Sequence, residues 1–217
     1  MLGQSVEGRP LRVEEFGGRG PRVVIIGAIH GDERCTVVFG ERVGVRLRGG
    51  WADELGMRVT FVHVANPDGV ALGTRENARG VDLNRNFPAD NFQAGADGGP
   101  EPLSEPESRA IHDLIVDVEP DAIIALHCCE PMFDFDGPAA ELAETMAAAM
   151  PAEFDLPVER LGASPGSLGS WAGEDRGIPV VTVEFDWPDQ TAYADQYPPV
   201  MAALEAGLRA VATGVDM

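Results

Sequence analysis

Lysine is absent from this chain, and all sixteen basic residues are arginine. Aspartate and glutamate together number 36, which gives a net charge of −20 at pH 7. Nucleic acids and anionic membranes attract proteins through a basic face, so the composition argues against both as partners. The acidity is compatible with a compositional bias of the source and with adaptation to high salt, and the sequence alone leaves both explanations open.

Cysteine is also scarce. Cys35, Cys128 and Cys129 form an odd and sparse set, whereas small secreted domains carry a dense and even one. We therefore expect reduced thiols and a cytoplasmic location. The N-terminal stretch has no basic segment followed by an apolar one, and the apolar runs are only of strand length. We accordingly expect neither export nor membrane insertion.

No Pro-rich or Ser/Gly-rich linker divides the 217 residues, so we expect one domain over residues 1–217. A turn is predicted at residues 66–69, followed by a polar, irregular stretch to residue 102. A capping box from Ser104 to Glu107 predicts the start of a helix. Strands are predicted at residues 11–16, 22–29, 57–64, 122–126 and 180–183, and helices at residues 33–48, 104–118, 138–150, 167–174 and 190–211. The alternation predicts an α/β sandwich with a mixed, largely parallel central sheet flanked by helices.

Three of the predicted strands are followed by residues that can bind a metal ion. His30 and Glu33 come just after one strand, and His127 ends another. The carboxyl ends of strands in open α/β sheets are where ligand sites form. Two histidines and one carboxylate leave a coordination position open, which is the ligand set of catalytic zinc. The alternative is that Glu33 caps a helix beside two hydrogen-bonded loop histidines.

A further carboxylate, Glu184, ends the strand predicted at residues 180–183. It is a candidate general base, because a hydrolytic water needs a carboxylate within hydrogen-bond reach to take its proton. Asp186 would share the same strand face, so spacing alone does not separate the two.

The irregular stretch concentrates arginines and amides at Thr74-Arg75 and at residues 80–88. Guanidinium groups bind carboxylates bidentately and stabilise developing oxyanions, so this cluster could hold an anion despite the acidic composition. Arginines in loops are mostly solvated, and for Arg79 we keep that interpretation.

These motifs, in their order and spacing, resemble those of the zinc carboxypeptidase family. They are His30-Gly31-Asp32-Glu33, Asn66-Pro67-Asp68-Gly69, Thr74-Arg75, residues 80–87, His127 and Glu184. Residues 69–75, 77–88, 102–107, 135–138 and 165–173 resemble more closely the murein peptide amidase branch of that family. The resemblance implies a cytoplasmic zinc peptidase that cuts the γ-D-glutamyl-diaminopimelate bond of recycled cell-wall peptides.

The resemblance also implies a role for each candidate residue. His30, Glu33 and His127 would hold one Zn²⁺ per chain, and Glu184, rather than Asp186, would be the general base. The remaining roles are oxyanion stabilisation by Arg75, binding of the terminal carboxylate by Asn84 and Arg85, and a hydrogen bond from Asp82 to a zinc-bound histidine.

The predicted activity is hydrolysis of an amide bond next to a free terminal carboxylate in a small peptide. An N-acyl amino acid deacylase of the aspartoacylase or succinylglutamate desuccinylase type is the alternative enzyme, since it shares the zinc ligands. A catalytically inactive peptide-binding module is the alternative from another class. The sequence leaves the oligomeric state open, and a homodimer is compatible with it.

Overall fold

The computed structural model describes residues 1–128, 130–154, 156–185 and 193–214, and only the backbone of residues 193–196. The strands are β1 (Gly3–Gln4), β2 (Pro10–Leu11), β3 (Glu14–Phe16), β4 (Arg22–Gly27), β5 (Arg58–Val62), β6 (Ala122–Cys128), β7 (Met132–Asp136), β8 (Val158–Glu159) and β9 (Val180–Phe185). The helices are α1 (Arg34–Arg48), α2 (Trp51–Leu55), α3 (Pro67–Leu72), α4 (Pro106–Val118), α5 (Ala140–Ala148) and α6 (Tyr193–Thr213). Short 3₁₀ turns lie at Leu83–Arg85 and Ala152–Phe154, and a π-helix at Gly169–Glu174.

Seven of the strands form one sheet in the order β3-β5-β4-β6-β9-β7-β8. The pairs β5-β4, β4-β6, β6-β9 and β7-β8 are parallel, whereas β3 and β7 run antiparallel to β5 and β9. The prediction of a mixed, largely parallel sheet flanked by helices is therefore confirmed. Parallel central strands are covered on both faces, which explains their continuous apolar sequence.

Alternate residues of each central strand face different hydrophobic clusters. Val23 and Ile25 of β4 belong to the cluster under α1, α5 and α6, and Val24 and Ile26 to the cluster under α4 and Trp171. The same alternation continues across the sheet. The second of these faces carries the candidate site at the carboxyl ends of β6 and β9.

The predicted strand at residues 11–16 is broken into two pieces. Pro10–Leu11 pairs with β1, and Glu14–Phe16 pairs antiparallel with β5. The alternation of residues along the segment did not predict this break. The two pieces follow the same alternating pattern and differ only in the strands with which they pair.

Two local motifs predicted from the sequence, a turn and a helix-capping box, differ in the structure. The segment 66–69 is the start of α3, where Asn66 caps the helix by accepting a hydrogen bond from Gly69 N at 2.8 Å. The capping box at Ser104 does not form, because Pro106 occupies the first turn of α4 and Ser104 Oγ instead accepts a bond from Asn86 Nδ2 at 3.0 Å.

Cys35 and Cys128 are joined in a disulfide bond, so the expectation of reduced thiols is wrong for this pair, while Cys129 lies outside the described residues. The two cysteines are 93 residues apart in sequence, and only the packing of α1 against β6 brings them together. A cross-link across so long a loop stabilises a fold by about 4 to 5 kcal/mol, mainly by restricting the unfolded chain. Because its sulfur is in a disulfide, Cys128 offers no thiolate to a metal ion.

Among the described residues, none of the helices is both long and apolar enough to cross a bilayer.

Candidate metal centre and active site

The chain leaves β4 through a tightly packed turn that delivers His30 and Glu33. Ala28 has a φ of 49°, a conformation that a non-glycine residue adopts only when its surroundings enforce it. Gly31 packs against the backbone of Gly69 so closely that a Cβ atom at Gly31 would lie 2.0 Å from the Gly69 carbonyl carbon. Glycine at position 31 therefore lets the turn after β4 pack directly against the backbone of α3.

His30, Glu33 and His127 converge at one point, with one ligand atom from each lying within 4.8 Å of the others. All three side chains are buried. Glu33 Oε1 lies 2.6 Å from His30 Nδ1, and Glu33 Oε2 lies 3.3 Å from His127 Nδ1. Glu33 makes no capping hydrogen bond to α1, so the alternative of a helix-capping glutamate does not fit. Its Oε2 instead accepts a bond from Cys128 N at 3.1 Å.

The donor set fits a metal ion. His30 Nε2 lies 3.2 Å from Asp82 Oδ1, so a proton on Nε2 leaves a lone pair on Nδ1. That lone pair faces a carboxylate oxygen, and either a proton or a metal ion can join two such acceptors. Burial alone would raise the pKa of Glu33, but His127 and His30 lower it to about 2, so the carboxylate is charged and ready to bind a cation.

Asp82 connects the candidate ligand His30 to Arg75. Its Oδ2 accepts a hydrogen bond from Arg75 Nε at 2.9 Å, while Oδ1 faces His30. Burial opposes ionisation of Asp82, but the bond to His30 and the charge of Arg75 hold its pKa well below the usual range. The arrangement fixes the orientation of the imidazole and of the guanidinium together. Arg75 NH1 then points towards Glu33, 3.7 Å from Oε1.

Glu184 lies beside His127 because β6 and β9 pair in parallel with these two residues in register. Burial raises the pKa of Glu184, and the charge of His127 opposes that shift. A carboxylate adjacent to the candidate ligands is positioned to exchange protons with a water molecule there. Asp186 lies outside the described residues.

Asn84 and Arg85 line the opposite wall of the same pocket. Asn84 Oδ1 accepts a hydrogen bond from Leu168 N at 2.9 Å, which leaves the amide NH₂ group to face the cavity. Arg85 NH1 donates to its neighbour's carbonyl, Asn84 O, at 2.7 Å, and within the described part of the chain Arg85 forms no ion pair. An unpaired guanidinium beside an amide suits a carboxylate ligand.

The pocket at these residues has a volume of about 320 Å³. Seven of the eight residues of the predicted site line this pocket. The eighth, Asp82, does not line it and instead contacts His30 and Arg75. The side chain of Arg79 does not line the pocket. It is largely exposed, and its NH1 lies 3.5 Å from Glu105 Oε2, which agrees with the prediction that Arg79 is a solvated surface residue.

The sequence analysis missed two acidic residues in the pocket, Asp134 and Asp136 of β7. The alternation of Phe133 and Phe135 with these aspartates could have placed both acids on one strand face. Only the antiparallel pairing of β7 with β9 brings that face to the site.

The family model described as zinc carboxypeptidase matches residues 1–135, including His30, Glu33, Arg75, Arg85 and His127. The chain belongs to the zinc carboxypeptidase family. It is therefore a hydrolase of a zinc-dependent family, and its His/Glu/His group could hold a metal ion.

Murein peptide amidase A of Escherichia coli (strain K12) is 34% identical over 203 residues, which span 83% of this chain and 78% of that protein. The crystal structure of murein-tripeptide amidase from Escherichia coli O157 matches with a TM-score of 0.71 and 31% identity, covering 96% of this chain and 90% of that one. Carboxypeptidase A from Helicoverpa armigera matches at a TM-score of 0.85 with 20% identity, over 100% of this chain and 68% of that one, which shows a shared fold alone.

Proposed function

We propose that this chain is a zinc-dependent metallopeptidase that hydrolyses the γ-D-glutamyl-diaminopimelate bond of murein peptides, next to a free terminal carboxylate. The observation that carries the proposal is one pocket lined by the His30, Glu33 and His127 group, by Glu184 and by the unpaired Arg85. The names of the amidases from Escherichia coli support the substrate class. One domain over residues 1–217 and a cytoplasmic location belong to the same proposal.

His30, Glu33 and His127 would hold one zinc ion per chain. When bound, zinc polarises the substrate carbonyl and acidifies a water molecule. Glu184 takes the proton of the attacking water and passes it to the leaving amine. The guanidinium of Arg75, held by Asp82, stabilises the negative charge that develops on the carbonyl oxygen.

Asn84 and Arg85 bind the carboxylate of the leaving residue and so fix which amide bond lies beside Glu184. The N-acyl amino acid deacylase alternative shares the ligands, and it differs from this proposal in its substrate. A purely peptide-binding module would not need a buried carboxylate such as Glu184 next to the metal ligands.

We expect about one zinc per chain in the purified protein, and His127→Ala should lose most of it because two ligands remain where three are needed. Metal content by elemental mass spectrometry measures both. The matched control is His63→Ala, since His63 bonds Val37 O away from the site and should leave zinc in place. Stoichiometric zinc in the His127 variant would remove this residue from the ligand set.

We expect the zinc-loaded enzyme to cleave L-alanyl-γ-D-glutamyl-diaminopimelate in strong preference to an α-linked peptide and to N-acetylaspartate. Arg85→Lys should lower kcat/KM by roughly 10- to 150-fold, because lysine does not reproduce a bidentate, charge-assisted pair. Product analysis by mass spectrometry with initial rates measures both effects. Equal turnover of N-acetylaspartate would favour the deacylase, and an unchanged Arg85→Lys variant would remove the carboxylate role.

A further inference from the structure

The pairing of β4 with β6 ends just before the candidate metal ligands. The two strands run in parallel, and the last residues in register are Gly27 and Leu126. His30 and Glu33 come after Gly27, and His127 comes after Leu126. The ladder that aligns these two strands therefore does not extend to the ligands themselves.

The turn after β4 forms its backbone hydrogen bonds on the side away from β6. Asn66 N donates to Ala28 O at 2.9 Å, and Gly31 N donates to Arg75 O at 3.3 Å. Asn66 caps α3, and Arg75 lies in the stretch after that helix. These bonds fix the turn to α3 and its surroundings but do not set its distance from β6.

Two other contacts connect the end of this turn to β6. Cys128 N donates to Glu33 Oε2 at 3.1 Å, and the disulfide bond joins Cys35 to Cys128. Cys35 lies two residues after Glu33 in the first turn of α1, and Cys128 directly follows His127. The disulfide is therefore a covalent link between the two chain segments that carry the candidate ligands.

The link lies beside the metal centre without replacing a ligand. Successive residues of a strand point to opposite faces of the sheet, so Cys128 points away from His127. Cys128 belongs to the apolar cluster under α1, and Cys35 packs against that cluster. The disulfide thus fastens the start of α1 to the end of β6 and restricts the separation of Glu33 and His127.

This restriction bears on how tightly a metal ion is held. A site whose ligands are already in place binds more tightly than one that has to be ordered when the ion enters. Loss of the contacts that orient metal ligands weakens metal binding by roughly 10- to 100-fold. Loss of a link that restricts Glu33 and His127 should have an effect of the same order.

A disulfide, unlike a packing contact, can be opened chemically. Cys35 is only half-buried and Cys128 lines the pocket, so a small dithiol can approach the pair. In reducing compartments structural disulfides are rare, and those that form are usually catalytic or redox-sensing. The position of this bond gives its opening a direct consequence for the metal centre.

We propose that the Cys35–Cys128 disulfide positions the metal ligands and makes zinc binding depend on the redox state of this pair. The inference rests on the zinc centre of the proposed function but not on its substrate. A dithiol opens the bond when one of its thiolates attacks a cysteine sulfur and displaces the other cysteine. Its second sulfur then closes a cyclic disulfide and displaces the first cysteine. Two electrons and two protons pass from the dithiol to Cys35 and Cys128, which become thiols.

The test measures the Kd for zinc on folded protein, by competition with a chromogenic chelator. The double variant Cys35→Ala/Cys128→Ala should bind zinc about 10- to 100-fold more weakly than the oxidised wild type. Both substitutions leave the backbone N–H at position 128 able to bond Glu33, so the loss reports the cross-link.

The matched control is Cys129→Ala, which removes the cysteine next in sequence. It should keep the wild-type Kd, and thiol titration should show that it keeps the disulfide. An equal loss of affinity in a Cys129→Ala protein that keeps the disulfide would contradict the proposal.

The Kd separates ligand positioning from general stabilisation. Removing a cross-link across a long loop lowers the melting temperature of the zinc-free protein in either case. A bond that only stabilises the fold would leave the Kd of the folded protein unchanged, and this result would overturn the proposal. We expect instead that zinc raises the melting temperature of the double variant by less than that of the wild type at the same zinc concentration.

The reduced wild type tests the redox dependence. After treatment with a dithiol and its removal without air, its Kd should match that of the double variant, and reoxidation should restore the original value. Weaker binding in the reduced wild type alone would mean that the new thiols compete for zinc, which would overturn the positioning role. If the double variant does not fold, Cys35→Ala takes its place. If neither folds, the bond serves the whole fold and the proposal is wrong.

Activity separates this inference from the proposed function. Weaker zinc binding by the double variant, without cleavage of the γ-D-glutamyl peptide by the zinc-loaded wild type, would contradict the proposed substrate and support the role of the disulfide. Equal Kd values with normal cleavage would overturn the role of the disulfide alone. Failure of the oxidised wild type to bind zinc would overturn both.

Discussion

Glu184→Gln is expected to keep zinc and fold while losing at least about 100-fold in kcat, and up to about 10,000-fold. The amide preserves the shape of the side chain but takes up no proton. Glu184 lies in register with His127 on the neighbouring strand, which is where a water molecule beside the ligands would be deprotonated. Steady-state rates and metal content measured on one preparation separate loss of the base from loss of the metal.

Two controls make this result specific. Glu130 also lines the pocket but is exposed, so Glu130→Gln makes the same chemical change nearby and should have little effect on kcat. Asp186→Asn tests the residue that spacing could not separate from Glu184, and it should lose much less activity. Near-normal turnover by Glu184→Gln, or a larger loss in Asp186→Asn, would assign the proton transfer to Asp186.

The convergence of His30, Glu33 and His127 was predictable because each residue follows an apolar run of strand length. Such runs indicate parallel central strands, and parallel strands bring their carboxyl ends to one edge. Local pattern was therefore enough to predict that these three side chains lie close together before the strand order was known.

The positions of the two pocket aspartates were not predictable in the same way. Asp134 and Asp136 lie on an antiparallel strand near the edge of the sheet, and their position depends on β7 pairing with β9. Pairing between strands about 50 residues apart leaves no local signal. The Cys35–Cys128 disulfide is hidden for the same reason, since it depends on the packing of α1 against β6.

Helix starts also show where local reasoning stops. Ser104 and Glu107 have the spacing of a capping box, yet Ser104 bonds to Asn86 and Glu105, and Glu107 accepts bonds from Val6 N and Asn77. Most of these hydrogen bonds therefore join Ser104 and Glu107 to residues that are distant in the sequence. A capping motif is a local preference of about 1 kcal/mol, which such buried polar contacts readily override.

Arg75→Ala is expected to lower kcat by about 100- to 1,000-fold with a much smaller change in KM, the result for a group that acts mainly in the transition state. Arg75 is positioned for this role because Asp82 binds its Nε and leaves the end of the guanidinium directed at the ligands. Its backbone is fixed as well, since Arg75 O accepts bonds from Gly31 N at 3.3 Å and Asn66 Nδ2 at 3.2 Å. The charge therefore needs little reorganisation when the carbonyl oxygen becomes negative.

Measuring the zinc content of Arg75→Ala distinguishes a loss of oxyanion stabilisation from a loss of the metal ion. Removing Arg75 also removes a partner of Asp82, and a loosened His30 would then lose metal together with activity. We expect Arg75→Ala to retain zinc, and Arg79→Ala, a loss of an exposed arginine from the same loop, to retain both zinc and kcat. A rate loss in Arg75→Ala that follows zinc loss, or that lies entirely in KM, would mean that Arg75 supports the ligands or binds substrate and does not stabilise the oxyanion.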